Sequence, residues 1–151
     1  MLEHARLGNI LGAAPLSWLV EEIGWRQSLG LIAVAGTVYV QTGIFPAEAW
    51  LAGTGIGAMS TAILVVNNLR DIDTDTRAGK RTMAVRLGRR GTQLEYAALW
   101  GLAAAVPILG IVRYDWPALT LVAWAGFLVA LPALRRVWMH RQPAELLPAL
   151  A

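Results

Sequence analysis

The sequence predicts an all-α, multi-span transmembrane helical bundle, and three observations predict it. Of the 151 residues 56% are apolar and only 15% charged, with a positive mean hydropathy, a balance too apolar for an ordinary soluble domain of this length. Four uncharged stretches have about the length needed to cross the roughly 30 Å hydrocarbon layer at about 1.5 Å per residue. The charges are gathered into a few short connections between them.

In chain order, the segment from Ile10 to Val20 is apolar but too short to cross, is interrupted by Pro15 and is closed by Glu21 and Glu22. Residues 1–28 are therefore expected as a broken or interfacial amino-terminal segment. Met1 to Gly8 contains Arg6 but no apolar run with a small-residue cleavage site, so no removable signal peptide is expected. Leu29 to Phe45 is the first span. Pro46 and Glu48 break the pattern and make a tight turn into the second, Ala49 to Val66. Gly53 and Gly57 in that span have the small-xxx-small spacing of close helix packing; a phosphate loop would need a following lysine and hydroxyl residue. Tyr96 to Val112 is the third span, in which Pro107 is tolerable because a neighbouring helix or water can satisfy the carbonyl it frees. Arg113, Tyr114, Asp115 and Pro117 form the next turn, and Ala118 to Leu134 is the fourth span, stopped by Arg135 and Arg136. Residues 29–134 thus make the membrane domain, with a charged connection at 67–93, and residues 135–151 make an interfacial or disordered tail. Trp25, Trp50, Trp116 and Trp138 fall near the expected span ends, where an indole can be half wet.

Orientation follows from the basic residues. With the 67–93 connection in the cytosol, all but Arg113 of the 13 Lys and Arg lie on that side, so the positive-inside rule puts both termini and the acidic segment in the cytosol and the protein in the cell (inner) membrane. Arg86, Arg89 and Arg90 are expected at anionic lipid headgroups, and no nucleic-acid partner is expected. The absence of cysteine excludes disulfides and thiolate metal sites. His4 and His140 are too far apart in sequence to suggest zinc.

Chemistry is concentrated in NNLRDIDTDTRAGKRTMAVRLG, Asn67 to Gly88. On a helix continuing from the second span, Asn67, Asp71 and Asp75 share one face at i, i+4 and i+8, while Asp73 points away. Two carboxylates and an amide oxygen suit magnesium, which is commonly shared between one or two carboxylates and the phosphates of a substrate. A diphosphate is the expected ligand, with Arg77, Lys80 and Arg81, around Gly79, placed to neutralise its remaining charge. A merely solvated loop between two spans is the plain alternative. Against it, an aspartate at the bilayer centre costs roughly 2.5–3.5 kcal/mol on insertion scales, so a span that leads directly into three of them must end at the interface or face a wet cavity. A calcium loop is rejected, since its glycine and glutamate positions hold Thr76 and Thr82.

This string resembles the second aspartate-rich motif of the UbiA superfamily of intramembrane prenyltransferases, most closely the menaquinone branch that acts on 1,4-dihydroxy-2-naphthoate. GTVYVQTG, Gly36 to Gly43, resembles the helix before that motif. The resemblance implies a Mg2+-dependent transfer of a polyprenyl group from polyprenyl diphosphate to the naphthoate acceptor in a lipid bilayer. Asp71 and Asp75 would be the magnesium-diphosphate aspartates, with Asn67, Arg70 and Lys80 beside them. Tyr39 and Gln41 would face the aromatic substrate or pack against a helix. Family members have about nine spans and two such motifs. The first motif is missing here, and the adjacent Glu21 and Glu22 diverge by about 100° on a helix and do not replace it. The chain thus resembles a carboxy-terminal half, as a fragment, a truncated product or one part of a split protein, with a complementary amino-terminal half as a partner and little turnover alone. Another aromatic acceptor, such as 4-hydroxybenzoate or homogentisate, and a non-catalytic four-helix subunit are the alternatives.

Overall fold

The computed structural model describes residues 16–139. Among them every regular element is helical: α1 (Leu16–Thr42), α2 (Ala47–Arg70), α3 (Ile72–Arg77), α4 (Met83–Tyr114), a 3₁₀ turn (Ala118–Val122) and α5 (Ala123–Met139). By length and composition α2, α4 and the stretch Ala118–Met139 can each cross a membrane, while the apolar part of α1, Gly30–Thr42, is shorter. The chain is an all-α integral membrane protein. Residues 1–15 and 140–151, with His4, His140 and the prolines of the expected tail, lie outside the described residues.

The helices run further than the charge pattern suggests. From Leu16 on, the segment expected to be broken is part of α1 and passes without interruption through Glu21, Glu22 and Arg26 into the first span. Likewise α5 continues past Arg135 and Arg136 to Met139. Charged residues end a stretch that lipid will accept; they do not end a helix, because Glu and Arg are good helix formers.

Gly43 closes α1 in the left-handed region at φ 75°, donating its N–H to the Tyr39 carbonyl at 2.7 Å, and Pro46 opens α2 in an extended conformation. Tyr39 stacks on Phe45 with centroids 4.3 Å apart, and Phe45 leans on Trp50 at 6.0 Å, so three aromatic rings clamp the turn. Below it α1 and α2 cross at backbone distance. A Cβ on Gly30 would overlap the Gly57 backbone, and one on Gly53 would lie 3.0 Å from the Leu31 Cα. The expected packing role of Gly53 and Gly57 is what the structure shows.

Helix α4 is capped by Thr82, whose hydroxyl accepts from the Val85 N–H at 3.4 Å, and it is broken at Gly88, φ 68° and ψ 173°. The charged connection at 67–93 is largely helical, beyond the acidic stretch expected to continue from the second span. Pro107 is accommodated inside α4, and Trp124 of α5 donates its indole N–H to the Ala104 carbonyl at 3.2 Å, close to the proline. At the far end Trp116 folds back onto Gly110, where a Cβ would collide with its ring. The core joins Ala58, Ala62, Val65, Val66 and Leu69 of α2 to Tyr96, Leu99 and Ala103 of α4 and Val137 of α5. Gln93 ties α5 to α4 by donating to the Val137 carbonyl at 2.8 Å in a buried setting.

Helix α2 is the central element, covered by α1 and α4. Its buried positions include Gly53, Gly57, Thr61, Val65 and Leu69. Ile56, Ser60, Ile63 and Leu64 are exposed. The uncovered side continues at three- and four-residue steps into Asn67 and Asp71.

Candidate functional site

The helical path does not simply continue from α2 through the acidic segment. It bends at Asp71, φ −92° and ψ 5°, which ends α2 and begins α3. The bend keeps the i to i−4 bonding: the Asp71 N–H donates to the Asn67 carbonyl at 3.1 Å, and the Asp75 N–H to the Asp71 carbonyl at 2.8 Å. The expected spacing of one turn between the two acids therefore survives the kink. Leu69 and Ile72 on either side are buried, and they anchor the segment to the bundle.

Each acid has a basic partner from its own chain. Arg70 grips Asp71 with both ends of its guanidinium, Nε to Oδ1 at 2.8 Å and Nη2 to Oδ2 at 2.9 Å. That hydrogen-bonded guanidinium holds the Asp71 carboxyl below the ordinary carboxylate range. Lys80 Nζ donates to Asp75 Oδ1 at 2.9 Å. The Asp75 side chain is only 9% exposed and that of Lys80 65%. The hydrogen bond to Asp75 pushes the Lys80 ammonium above the usual lysine value, and Asp71 adds to it through space. Lys80 is thus within electrostatic reach of both acids.

A local backbone motif brings Lys80 there. Helix α3 ends with Gly79 at φ 69°, where the Gly79 N–H donates to the Thr76 carbonyl at 3.2 Å and the Lys80 N–H to the Asp75 carbonyl at 2.9 Å. This pair of bonds around a left-handed glycine is a Schellman termination. It folds residue 80 back over residue 75, so backbone and side chain of Lys80 both close on Asp75. Sequence reading placed a glycine and a lysine near the acids but missed this ring closure, whose signal is the five-residue step from Asp75 to Lys80 across Gly79.

Of the other candidates, Asn67 is half-buried at the head of the acidic line. Arg77 turns onto the Asp73 carbonyl at 3.2 Å, away from Asp71 and Asp75, and Arg81 is exposed. Tyr39 and Gln41 are not brought to the acids. They lie beside the turn at the start of α2, whereas Asp71 follows its end 24 residues later, about 36 Å along a helix. The Tyr39 ring stacks on Phe45.

Sequence reading also did not foresee an apolar groove of about 490 Å³ lined by Ile56, Ser60 and Ile63 of α2, Val106 and Pro107 of α4, and Phe127 of α5. It begins about two turns from Asp71 on the same uncovered side of α2. Among the described residues no three Asp, Glu, His or Cys converge as a metal site. The acidic pair matches a cation that takes one or two carboxylates and completes its shell with water and phosphate oxygens.

The UbiA prenyltransferase family model matches residues 18–149. The 1,4-dihydroxy-2-naphthoate octaprenyltransferase of Haemophilus influenzae is 37% identical over 154 residues, covering 97% of this chain and 48% of the relative. Proteins of the same name from Mycobacterium leprae and Escherichia coli are 40% identical over 121 residues and 33% over 152, with 80% and 97% of this chain covered and 40% and 48% of theirs. The chain therefore spans about half the length of the curated relatives it matches. No solved structure matches it. With a family model across most of its length and relatives of this identity behind it, the chain belongs to the UbiA prenyltransferase family.

Proposed function

We propose that this chain forms the diphosphate-binding half of a prenyltransferase that moves a polyprenyl group from polyprenyl diphosphate to 1,4-dihydroxy-2-naphthoate. The observation that carries the reading is the pair Asp71 and Asp75, one turn apart where a membrane helix ends, interleaved with Arg70 and Lys80. The names of the relatives favour the naphthoate over another aromatic acceptor. In this reading Asp71 and Asp75, with Asn67 beside them, would hold Mg2+, which would supply positive charge against a departing diphosphate. Arg70 and Lys80 bind the same phosphate oxygens, with Arg77 and Arg81 in support from the adjoining turn. The allylic carbon–oxygen bond breaks with its electron pair on the diphosphate, the acceptor ring carbon bearing the carboxylate forms the new carbon–carbon bond, and the electron pair of its bond to the carboxylate returns to the ring as carbon dioxide leaves. The groove along Ile56, Ser60 and Ile63 suits the apolar tail.

The uncovered side of α2 and the half-length match support a second component, a complementary half bearing another acidic motif, that closes the site. The acidic segment and both ends of the chain face the cytosol and the membrane is the cell (inner) membrane, as the basic residues favour. The test is binding of a polyprenyl diphosphate to the chain in lipid nanodiscs with and without Mg2+. Asp71→Ala and Asp75→Ala are each expected to weaken Mg2+-dependent binding by about tenfold or more. Equal binding by both variants and the parent would remove the Asp71–Asp75 site reading.

A further inference from the structure

The two acids of the candidate site are not waiting as bare ligands. Asp71 is gripped by Arg70 at 2.8 and 2.9 Å, and Asp75 is closed by Lys80 at 2.9 Å through a turn built for it around Gly79. We infer that Lys80 is an exchangeable internal counter-ion whose transfer from Asp75 to a phosphate oxygen makes the divalent cation and the diphosphate bind cooperatively, neither taking the site well alone. This rests on the diphosphate-site reading above and adds how that site is loaded.

The reason is the unequal exposure of the pair. A carboxylate that is 9% exposed is stripped of most of its water and needs a cation or donor against it. Lys80, 65% exposed on a flexible four-carbon stem, can swing to a new anion without being dragged from solvent. A divalent cation arriving alone at Asp75 must displace the ammonium, which is then left without an anion and close to the new positive charge. A diphosphate arriving alone can take Lys80 only by leaving a buried carboxylate uncovered. When both arrive, the metal replaces Lys80 at Asp75 and the phosphate replaces Asp75 at Lys80, so every charge keeps a partner. Arg70 and Asp71 repeat the exchange at the more open acid, whose side chain is 41% exposed. Coupling of this kind is reciprocal: each ligand must tighten the other by the same factor.

Calorimetric titration of the full chain in nanodiscs tests this with MgCl2 alone, inorganic pyrophosphate alone, and MgCl2 at saturating pyrophosphate. The expected result is that each ligand raises the affinity for the other by about tenfold. Lys80→Gln is expected to tighten Mg2+ alone, to weaken pyrophosphate and to abolish most of the coupling. Gly79→Ala, which keeps the charge but disfavours the left-handed turn, should move each quantity the same way by less. Independent binding of the two ligands to the parent chain overturns the inference while leaving a diphosphate site intact, and so does a Lys80→Gln variant with unchanged coupling. Absence of any binding of Mg2+ and pyrophosphate together overturns the site reading and this inference with it.

Discussion

Asp71 and Asp75 are one turn apart in sequence register, yet they occupy different surroundings. The Asp71 side chain is 41% exposed and held by a guanidinium of the preceding residue, while that of Asp75 is nearly covered and held from five residues ahead. The pairing fixes the sign of a pH effect. Because Arg70 lowers the Asp71 carboxyl below its unfolded value, the stability it adds is full above the ordinary carboxylate range and is lost as pH falls through the depressed value. Thermal unfolding followed from neutral to acidic pH should show the parent more stable than Arg70→Gln at neutral pH, with the gap closing as pH falls through the depressed Asp71 value. The difference will be small, since solvent screens so exposed a pair. Lys80 runs the other way. Its raised value keeps the contact with Asp75 intact at neutral pH and loses it only as pH climbs through that value.

The fold depends on two different kinds of helix contact. Between α1 and α2 there is no room for side chains: Gly30 faces Gly57 and Gly53 faces Leu31. Gly30→Ala should force the helices apart and lower stability in detergent by about 1–3 kcal/mol, in the range of other overpacked sites. Gly36→Ala on the same helix has open space for its methyl and serves as the control. It should be neutral or slightly stabilising by thermal unfolding, since alanine is the better helix former. Between α4 and α5 the contact is sparse, held by the Gln93 bond to the Val137 carbonyl and the Trp124 bond to the Ala104 carbonyl. The apolar groove opens next to the second of these bonds, lined there by Ala103, Val106 and Pro107 of α4 and by Ala123 and Phe127 of α5.

For the whole molecule, the uncovered side of α2 carries both the groove and the acidic line, and the chain corresponds to about half the length of its relatives. On the proposed function, with one acidic motif, prenyl transfer by this chain alone is expected to be little or none, and rising product upon co-expression with a segment carrying a second acidic motif, measured in membranes with polyprenyl diphosphate and the naphthoate, is the expected outcome. A full-length rate from the purified chain alone would contradict it. The sequence by itself determined the helical class, the membrane-length stretches, the common register of Asn67, Asp71 and Asp75, and the family. All of these are properties of hydropathy, spacing and motif along one segment, and need no knowledge of what lies beside it. Helices α1 and α5 run beyond their uncharged stretches because lipid-compatible composition and helix formation part company. Only the tertiary structure decided that Asp75 is covered while Asp71 is open, that Ile56, Ser60, Ile63 and Leu64 of α2 stay exposed, and that Tyr39 and Gln41 stand at the opposite end from the acids. These are distances through space between elements, set by which faces pack together, and a one-dimensional pattern does not contain them.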